Sequence, residues 1–322
     1  MAPKRCKQTA RIRRPARPAA AMSSKGVPDE AVVVEAEAGI RGNDTSTEVS
    51  EMNWWDAELH WPEVCRFCEQ WSGVRDLDLV STFDFSKKVL KTWLSRGSSG
   101  VAYDIKSGGI DEDVIGKDGF MALLGLLMRL KPRGMNVSAP PCSNFIGLSI
   151  NVHQRHVFGP EGNVAVKSVR LTNLISSNCA VALHAQMLYR PDTYGLVEQP
   201  KSSFMLKREI YQQLAKNGFS KVLTYQGPYG ADLEKGTHLL HNLQMGYLLG
   251  SRMTKDVKAK FLEKKAQKAA RSETVASKVH VQKKSDGSFH GTKELQSTSI
   301  YPQRFCTALH KVWVLSKAQA GS

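Results

Sequence analysis

The sequence predicts an α/β domain with a largely parallel sheet, and two observations carry this prediction. Strand-like apolar runs alternate with stretches of helical spacing over residues 77–250. The 322 residues, 41% hydrophobic and 23% charged, also have the composition of a globular protein. No apolar run approaches the roughly 20 residues that cross a bilayer, so we expect no membrane-spanning segment.

The predicted elements follow one another along residues 77–250. Six predicted strands cover 77–83, 101–105, 135–139, 194–198, 221–225 and 237–243. Four predicted helices cover 86–96, 118–130, 166–189 and 207–217. Val89, Leu90 and Trp93 recur at helical spacing in the first of these helices, and Asp118 is the expected N-cap of the second.

Composition divides the chain into four regions. Residues 1–50 are a basic and mixed arm that we expect to be disordered. Residues 51–76 are an aromatic-rich lead-in, and we expect its tryptophans to pack on the core of the domain at 77–250. These tryptophans are Trp54, Trp55, Trp61 and Trp71. Residues 251–322 are a basic helix and polar tail, in which residues 299–315 are predicted to return as a short apolar segment.

Positive charge is concentrated near the end of the sequence. The net charge is +15, and residues 251–322 hold fifteen Lys and Arg against five Asp and Glu. A nearly neutral body with a basic tail indicates contact with a polyanion, so DNA or RNA is the expected partner. A solvated helix face is the other interpretation of the same residues. The predicted nucleic-acid-binding residues are Lys255, Lys258, Lys260, Lys264, Lys265, Lys268 and Arg271.

The basic start of the chain bears on location. Residues 1–25 hold eight Lys or Arg and no acid, which is typical of a transit peptide, a nuclear-targeting or polyanion-binding arm, or a solvated tail. Pro15 and Pro18 interrupt the helix that a transit peptide needs, so a nuclear location is favoured over an organellar one. Six irregularly spaced cysteines favour a reducing, intracellular compartment.

Acidic and polar residues follow the first two predicted strands. Ligands bind such sheets beyond the carboxyl ends of the strands, so these positions are candidate cofactor contacts. Asp84 and Ser86 follow the first strand, where Asp84 either meets a cofactor or caps the next helix. Asp104 ends the second strand, where a Rossmann-like site places the acid that binds a ribose diol.

Two candidate catalytic residues follow the third and fourth strands. Cys142 comes after Pro140 and Pro141, and it is either a nucleophile or a half-buried residue of a turn. Glu198 ends the fourth strand close to Lys201. A cysteine and a glutamate on neighbouring strand ends fit a nucleophile with a proton donor.

Taken in order, these motifs carry a family resemblance. Four motifs occur in this order: the acidic end of the second strand, Pro-Pro-Cys, Val-Glu-Gln-Pro-Lys-Ser-Ser, and Tyr-Gly followed by Lys-Gly-Thr. Together they resemble the cytosine-C5 DNA methyltransferase fold family over about residues 77–245. More closely, the YDI, PPCS and VEQP motifs are similar to those of uncharacterised unicellular-algal proteins. The resemblance implies a Rossmann-like sheet of the class I S-adenosylmethionine-dependent methyltransferase type. It also implies that Cys142 is the nucleophile, that Glu198 holds the target base and that Asp104 binds the cofactor ribose.

The chain departs from that family in ways that keep other functions open. No glycine loop follows the first strand, and no large target-recognition region follows residue 245. A catalytically degenerate methyltransferase fold that serves as a binding module is therefore one alternative. A nucleic-acid-associated scaffold that binds through its termini is another. The Cys65–Cys68 and His153–His156 pairs lack the further ligands that zinc requires, so we expect no metal site.

Overall fold

The computed structural model describes most of the chain beyond residue 53. The described residues are 54–146, 150–231, 233–251, 253–271, 281–283, 289–291 and 300–320. The predicted disordered arm, residues 1–50, lies outside them. In the described part, no helix combines the length and apolar character that crossing a membrane requires.

Six strands form the central sheet. They are β1 (Leu77–Thr82), β2 (Gly100–Tyr103), β3 (Leu130–Ser138), β4 (Tyr194–Pro200), β5 (Ser220–Tyr225) and β6 (Gly236–His241). Their order is β2-β1-β3-β4-β6-β5. Strands β1 to β4 pair in parallel, whereas β6 runs antiparallel to both β4 and β5. The predicted α/β class with a largely parallel sheet is confirmed.

Nine α-helices and one small two-stranded sheet accompany the central sheet in the described residues. The helices are α1 (Trp61–Glu69), α2 (Lys88–Leu94), α3 (Ile105–Gly108), α4 (Lys117–Met128), α5 (Ile150–His153), α6 (Lys167–Tyr189), α7 (Glu209–Lys216), α8 (Lys255–Ala270) and α9 (Gln303–Gln319). Strands β7 (Val281–Lys283) and β8 (Phe289–Gly291) pair in antiparallel fashion within the predicted polar tail. Helix α4 begins one residue before Asp118 and is capped by Gly116, so the predicted Asp118 cap is wrong.

Apolar clusters cover both faces of the sheet. Neighbouring residues of β1 point to opposite faces, because side chains alternate along a strand. Val80 packs in a cluster with α4 and α6, whereas Leu79 packs in one with α2 and α9. Trp55 is 7% exposed in the first cluster, and Trp54, Trp61 and Trp71 pack against it as predicted.

The last helix belongs to the core. Phe305, Leu309 and Trp313 of α9 are almost fully buried, and the Trp313 indole lies 5.6 Å from that of Trp93 on α2. The predicted returning segment is confirmed. The sequence-based boundary at residue 250 therefore does not separate the tail from the domain, because one sheet face is covered only when α9 is in place.

The strand order places a crevice at the carboxyl edge of the sheet, where ligands bind in doubly wound folds. The chain moves from β1 outward to β2 and then returns across β1 to β3, so the direction of winding reverses between β1 and β3. Connections leave to opposite sides at such a point and open a crevice at the carboxyl ends of the strands. That edge carries the four strand-end segments singled out from the sequence.

Candidate functional site

A cavity of about 330 Å³ lies at the carboxyl ends of β1 to β4. This volume is in the range of small-molecule sites. Its acidic and basic lining residues are Asp84, Asp104, Lys106, Glu112, Asp113 and Glu198. Its remaining wall comes from the turns after β1 and β3, from the first half of α6 and from the segment before α9. The structure therefore brings Asp84, Ser86, Asp104 and Glu198 around one space.

The turn after β1 is built without glycine. Phe83 and Lys87 both adopt positive φ angles, 63° and 53°, which cost energy for residues with a side chain. Asp84 stabilises this turn. Its carboxylate accepts hydrogen bonds from the hydroxyl groups of Ser81 and Ser86 and, at 3.1 Å, from the backbone N–H of Leu90 in α2. Asp84 therefore holds the start of α2 while it also lines the cavity.

Asp104 follows β2 and is only 5% exposed. Its Oδ1 accepts a 2.9 Å hydrogen bond from the N–H of Lys106, and its own N–H donates to Glu112 Oε2 at 2.6 Å. Burial raises the pKa of the Asp104 carboxyl, against the lowering effect of the Lys106 N–H. A buried acid that is fixed in this way can accept hydrogen bonds from the hydroxyl groups of a ligand.

The Pro140–Pro141–Cys142 turn follows β3. Pro141 and Ser143 line the cavity, but Cys142 is not among the lining residues and is 1% exposed. The Cys142 carbonyl accepts a 2.7 Å hydrogen bond from Phe145, which closes the turn. Cys142 thus lies beside the cavity, with its side chain packed inside the protein.

Glu198 in β4 is the most enclosed acid of the site. Its side chain is 3% exposed, and Lys235 Nζ lies 3.9 Å from its Oε1. Among the described residues, Oε1 has no hydrogen-bond partner. A buried carboxylate oxygen without such a partner is costly, and the Lys235 ammonium offsets part of that cost.

Gln199 connects the two candidate catalytic segments. Its Nε2 donates to the carbonyl of Pro140 at 2.8 Å, and its Oε1 accepts from Ser203 Oγ at 2.8 Å. Ser138 and Val197 are also direct partners in the β3–β4 ladder. The Pro-Pro-Cys and Val-Glu-Gln-Pro motifs therefore meet at one edge, with Gln199 as their link.

The cavity wall is acidic. Five carboxyl groups, Asp84, Asp104, Glu112, Asp113 and Glu198, face one lining cation, Lys106. The Lys106 ammonium lies over the ring of Phe85, 4.9 Å from its centre. Because like charges repel strongly in a partly enclosed space, this wall disfavours phosphate groups and favours cations and neutral donors.

Several lining residues were not identified from the sequence. Glu112 ends a short 3₁₀ helix before α4 and Asp113 follows it, whereas Thr172 lies in the second turn of the long helix α6. Ile300 and Tyr301 arrive from the far end of the described chain. No local pattern marks these positions, because they reach the site through tertiary packing.

The predicted basic helix is confirmed as α8. Lys255, Lys260 and Lys264 are exposed along it, while Lys258 forms a 3.2 Å ion pair with Glu234. The remaining predicted contacts are Lys265, which is half-buried, Arg271, which is exposed, and Lys268, whose side chain lies outside the described residues. None of these seven residues lines the cavity.

The Cys65–Cys68 and His153–His156 pairs are the two motifs whose spacing is also found in metal sites. Cys65 and Cys68 lie on α1, and burial raises the pKa of the Cys68 thiol to about 12. His153 is buried, while His156 belongs to an exposed turn. Among the described residues, no group of three or more His, Cys, Asp or Glu side chains is placed to hold a metal ion.

Two comparisons with known proteins identify no family for this chain. A scan against protein-family models finds no match to the chain. A search of curated proteins likewise finds none.

Proposed function

We propose that the cavity binds S-adenosylmethionine and that the protein is a methyltransferase of the class I type acting on nucleic acid. The observation that carries this proposal is the acidic cavity at the reversal of strand order, with Asp104 at the end of β2. An acid at that position is the ribose acceptor in Rossmann-like sites.

The residues of the cavity fit this cofactor in chemical terms. S-adenosylmethionine carries a sulfonium, an ammonium and a carboxylate group, a ribose diol and an adenine ring, and it has no phosphate. The acidic wall suits the two cations, Lys106 is the lining cation available to the carboxylate, and Asp104 suits the diol. Phe83, Leu171 and Ile175 supply apolar surface for the ring. Dinucleotides and nucleoside triphosphates fit poorly, because their phosphates would meet five carboxyl groups.

The strand arrangement supports the same proposal. An antiparallel strand lies between β4 and β5, both of which run in the direction of the remaining strands. Class I methyltransferase sheets have a reversed strand in this place. Antiparallel strands near the edge also occur in other doubly wound folds, so the cavity remains the principal argument.

The family resemblance assigns the chemistry to two residues. The cofactor, when bound, supplies an electrophilic methyl group. Glu198 lines the cavity and would hold the target base through its carboxyl group. Cys142 would add its thiolate to the base, which requires the Pro140–Cys142 turn to shift so that Sγ reaches the cavity.

Calorimetric titration with S-adenosylmethionine tests the proposed cofactor. We expect Asp104→Ala to weaken binding tenfold or more, about 1.4 kcal/mol. Asp104→Asn keeps an oxygen that can accept the hydrogen bond from the Lys106 N–H. It therefore shows whether the loss of the negative charge alone weakens cofactor binding. Asp111→Ala, on an exposed residue that does not line the cavity, is the matched control. A folded wild-type chain that binds no cofactor at millimolar concentration would overturn the proposal.

A non-catalytic binding module is the second candidate function. Two observations favour it: the packed side chain of Cys142, and a first turn with Phe83 and Lys87 where glycine is expected. Transfer of a labelled methyl group to DNA or RNA separates the candidates. A transfer that Cys142→Ser abolishes supports the enzyme, and cofactor binding without any transfer supports the module.

A further inference from the structure

Two adjacent apolar side chains project from a turn near the cavity. Val157 is 53% exposed and Phe158 is 94% exposed. They are the central residues between His156 and Gly159, whose backbone N–H and C=O groups bond reciprocally at 3.1 and 3.2 Å. Single exposed apolar residues are ordinary on protein surfaces. Two adjacent exposed apolar residues, Val157 and Phe158, on a turn of fixed geometry indicate contact with a partner.

The turn is fixed by a buried arginine. Arg155 is 1% exposed, and its guanidinium lies 3.9 Å from the centre of the Phe145 ring. Its Nη1 donates to the carbonyl of Pro160 and to Asn173 Oδ1 in α6, and Asn173 Nδ2 donates to the carbonyl of Glu161 at 3.0 Å. Both sides of the turn are thereby attached to α6, so Phe158 is held outward by the fold.

The turn and the cavity share a wall. Arg155 Nη2 donates to Thr172 Oγ1 at 3.1 Å, and Thr172 lines the cavity. The turn also lies in the connection from β3 to α6, which leaves the carboxyl edge of the sheet. Arg155 therefore connects the turn that carries Phe158 to the α6 wall of the cavity.

Cationic side chains adjoin this turn on both sides. Lys167 and Arg170 follow it in the first turn of α6. On the other side, Arg208 binds Glu161 at 3.3 Å, next to the exposed Lys207. Burial lowers the pKa of His238, and the charges of Lys221, Lys201 and Lys207 lower it further.

We propose that Phe158 stacks on an unpaired base of a nucleic-acid strand whose phosphates contact the flanking lysines and whose neighbouring base enters the cavity. The charge distribution supports this partner, because Lys167, Arg170 and Lys207 adjoin the turn whereas acids line the cavity. An anionic backbone therefore stays outside while an uncharged base, rich in N–H donors, enters. This inference rests on the proposed function, because it names the substrate contact of the same site.

The proposed stacking of Phe158 on a base can be tested by fluorescence anisotropy. The full chain is titrated into a labelled, mixed-sequence single-stranded oligonucleotide. We expect Phe158→Ala to weaken binding about tenfold, or about 1.4 kcal/mol, because the stack between the base and the aromatic ring is lost. Phe158→Trp should bind within about threefold of wild type, because the indole also stacks. Val74→Ala, which changes a 73% exposed side chain before the amino end of β1, should leave binding unchanged.

Several outcomes would overturn this inference. One is equal binding by Phe158→Ala and Val74→Ala; another is no oligonucleotide binding by the wild-type chain at about 50 mM salt. Phe158-dependent binding to phosphatidylserine vesicles without oligonucleotide binding would assign the turn to a lipid surface instead. Calorimetry with S-adenosylmethionine on the same variants separates the two proposals, because Phe158 lies outside the cavity lining.

Discussion

His241 is a buried residue whose ionisation opposes folding. It lies in β6 and is 2% exposed. Burial lowers its pKa to about 4. The unfolded chain, with an ordinary histidine pKa near 6.5, therefore binds the proton first as the pH falls.

Acid should accordingly destabilise the fold through His241. We expect this residue to remove about 3 kcal/mol of the free energy of unfolding between pH 6.5 and 4. Denaturant unfolding across that range measures the effect. His241→Leu should flatten the pH dependence, and His156→Leu, on an exposed ring, should not. Equal pH dependence in the wild type and His241→Leu would contradict the prediction.

Helix α9 is the element on which one face of the sheet depends. Its Leu309 is fully buried, whereas Val314 on the same helix is 44% exposed. We expect Leu309→Ala to lower the free energy of unfolding by about 2–5 kcal/mol, because a cavity is left in the core. Val314→Ala should change it by less than about 0.5 kcal/mol. Similar small losses for both variants would mean that α9 does not pack as described.

Helix α8 has a different character, with charge on its exposed surface. If its lysines contact phosphates, the double variant Lys260→Gln, Lys264→Gln should lower the slope of log affinity against log salt by about 2 for an oligonucleotide. Lys91→Gln, on the exposed surface of α2, is the control. An unchanged slope would favour the solvated-face interpretation of this helix.

At the scale of the whole molecule, the sequence predicted the framework because its signals are local. Alternating apolar runs identify strands and helices, and a parallel sheet brings the ends of its strands to one edge. Asp84, Asp104 and Glu198 could therefore be expected together before any coordinates were known. The burial of the Cys142 side chain could not be predicted, since it depends on how the turn folds against its neighbours.

Several cavity residues could not be identified from the sequence, and the physical reason is the same for each. Glu112 reaches the site through its bond to the N–H of Asp104, and Tyr301 through the packing of α9 against α2. Neither position has a periodic or spacing signal. The direction of β6 was also open, because alternation of apolar residues does not tell which way a strand runs.

The late position of α9 in the sequence has a consequence for biosynthesis. During translation, β1, β3 and β4 are made long before residues 303–319, which cover one of their faces. Until those residues leave the ribosome, the nascent chain exposes an apolar sheet surface of the kind that chaperones recognise and that promotes aggregation. The ligand cavity, whose wall includes Tyr301, can be completed only after that release.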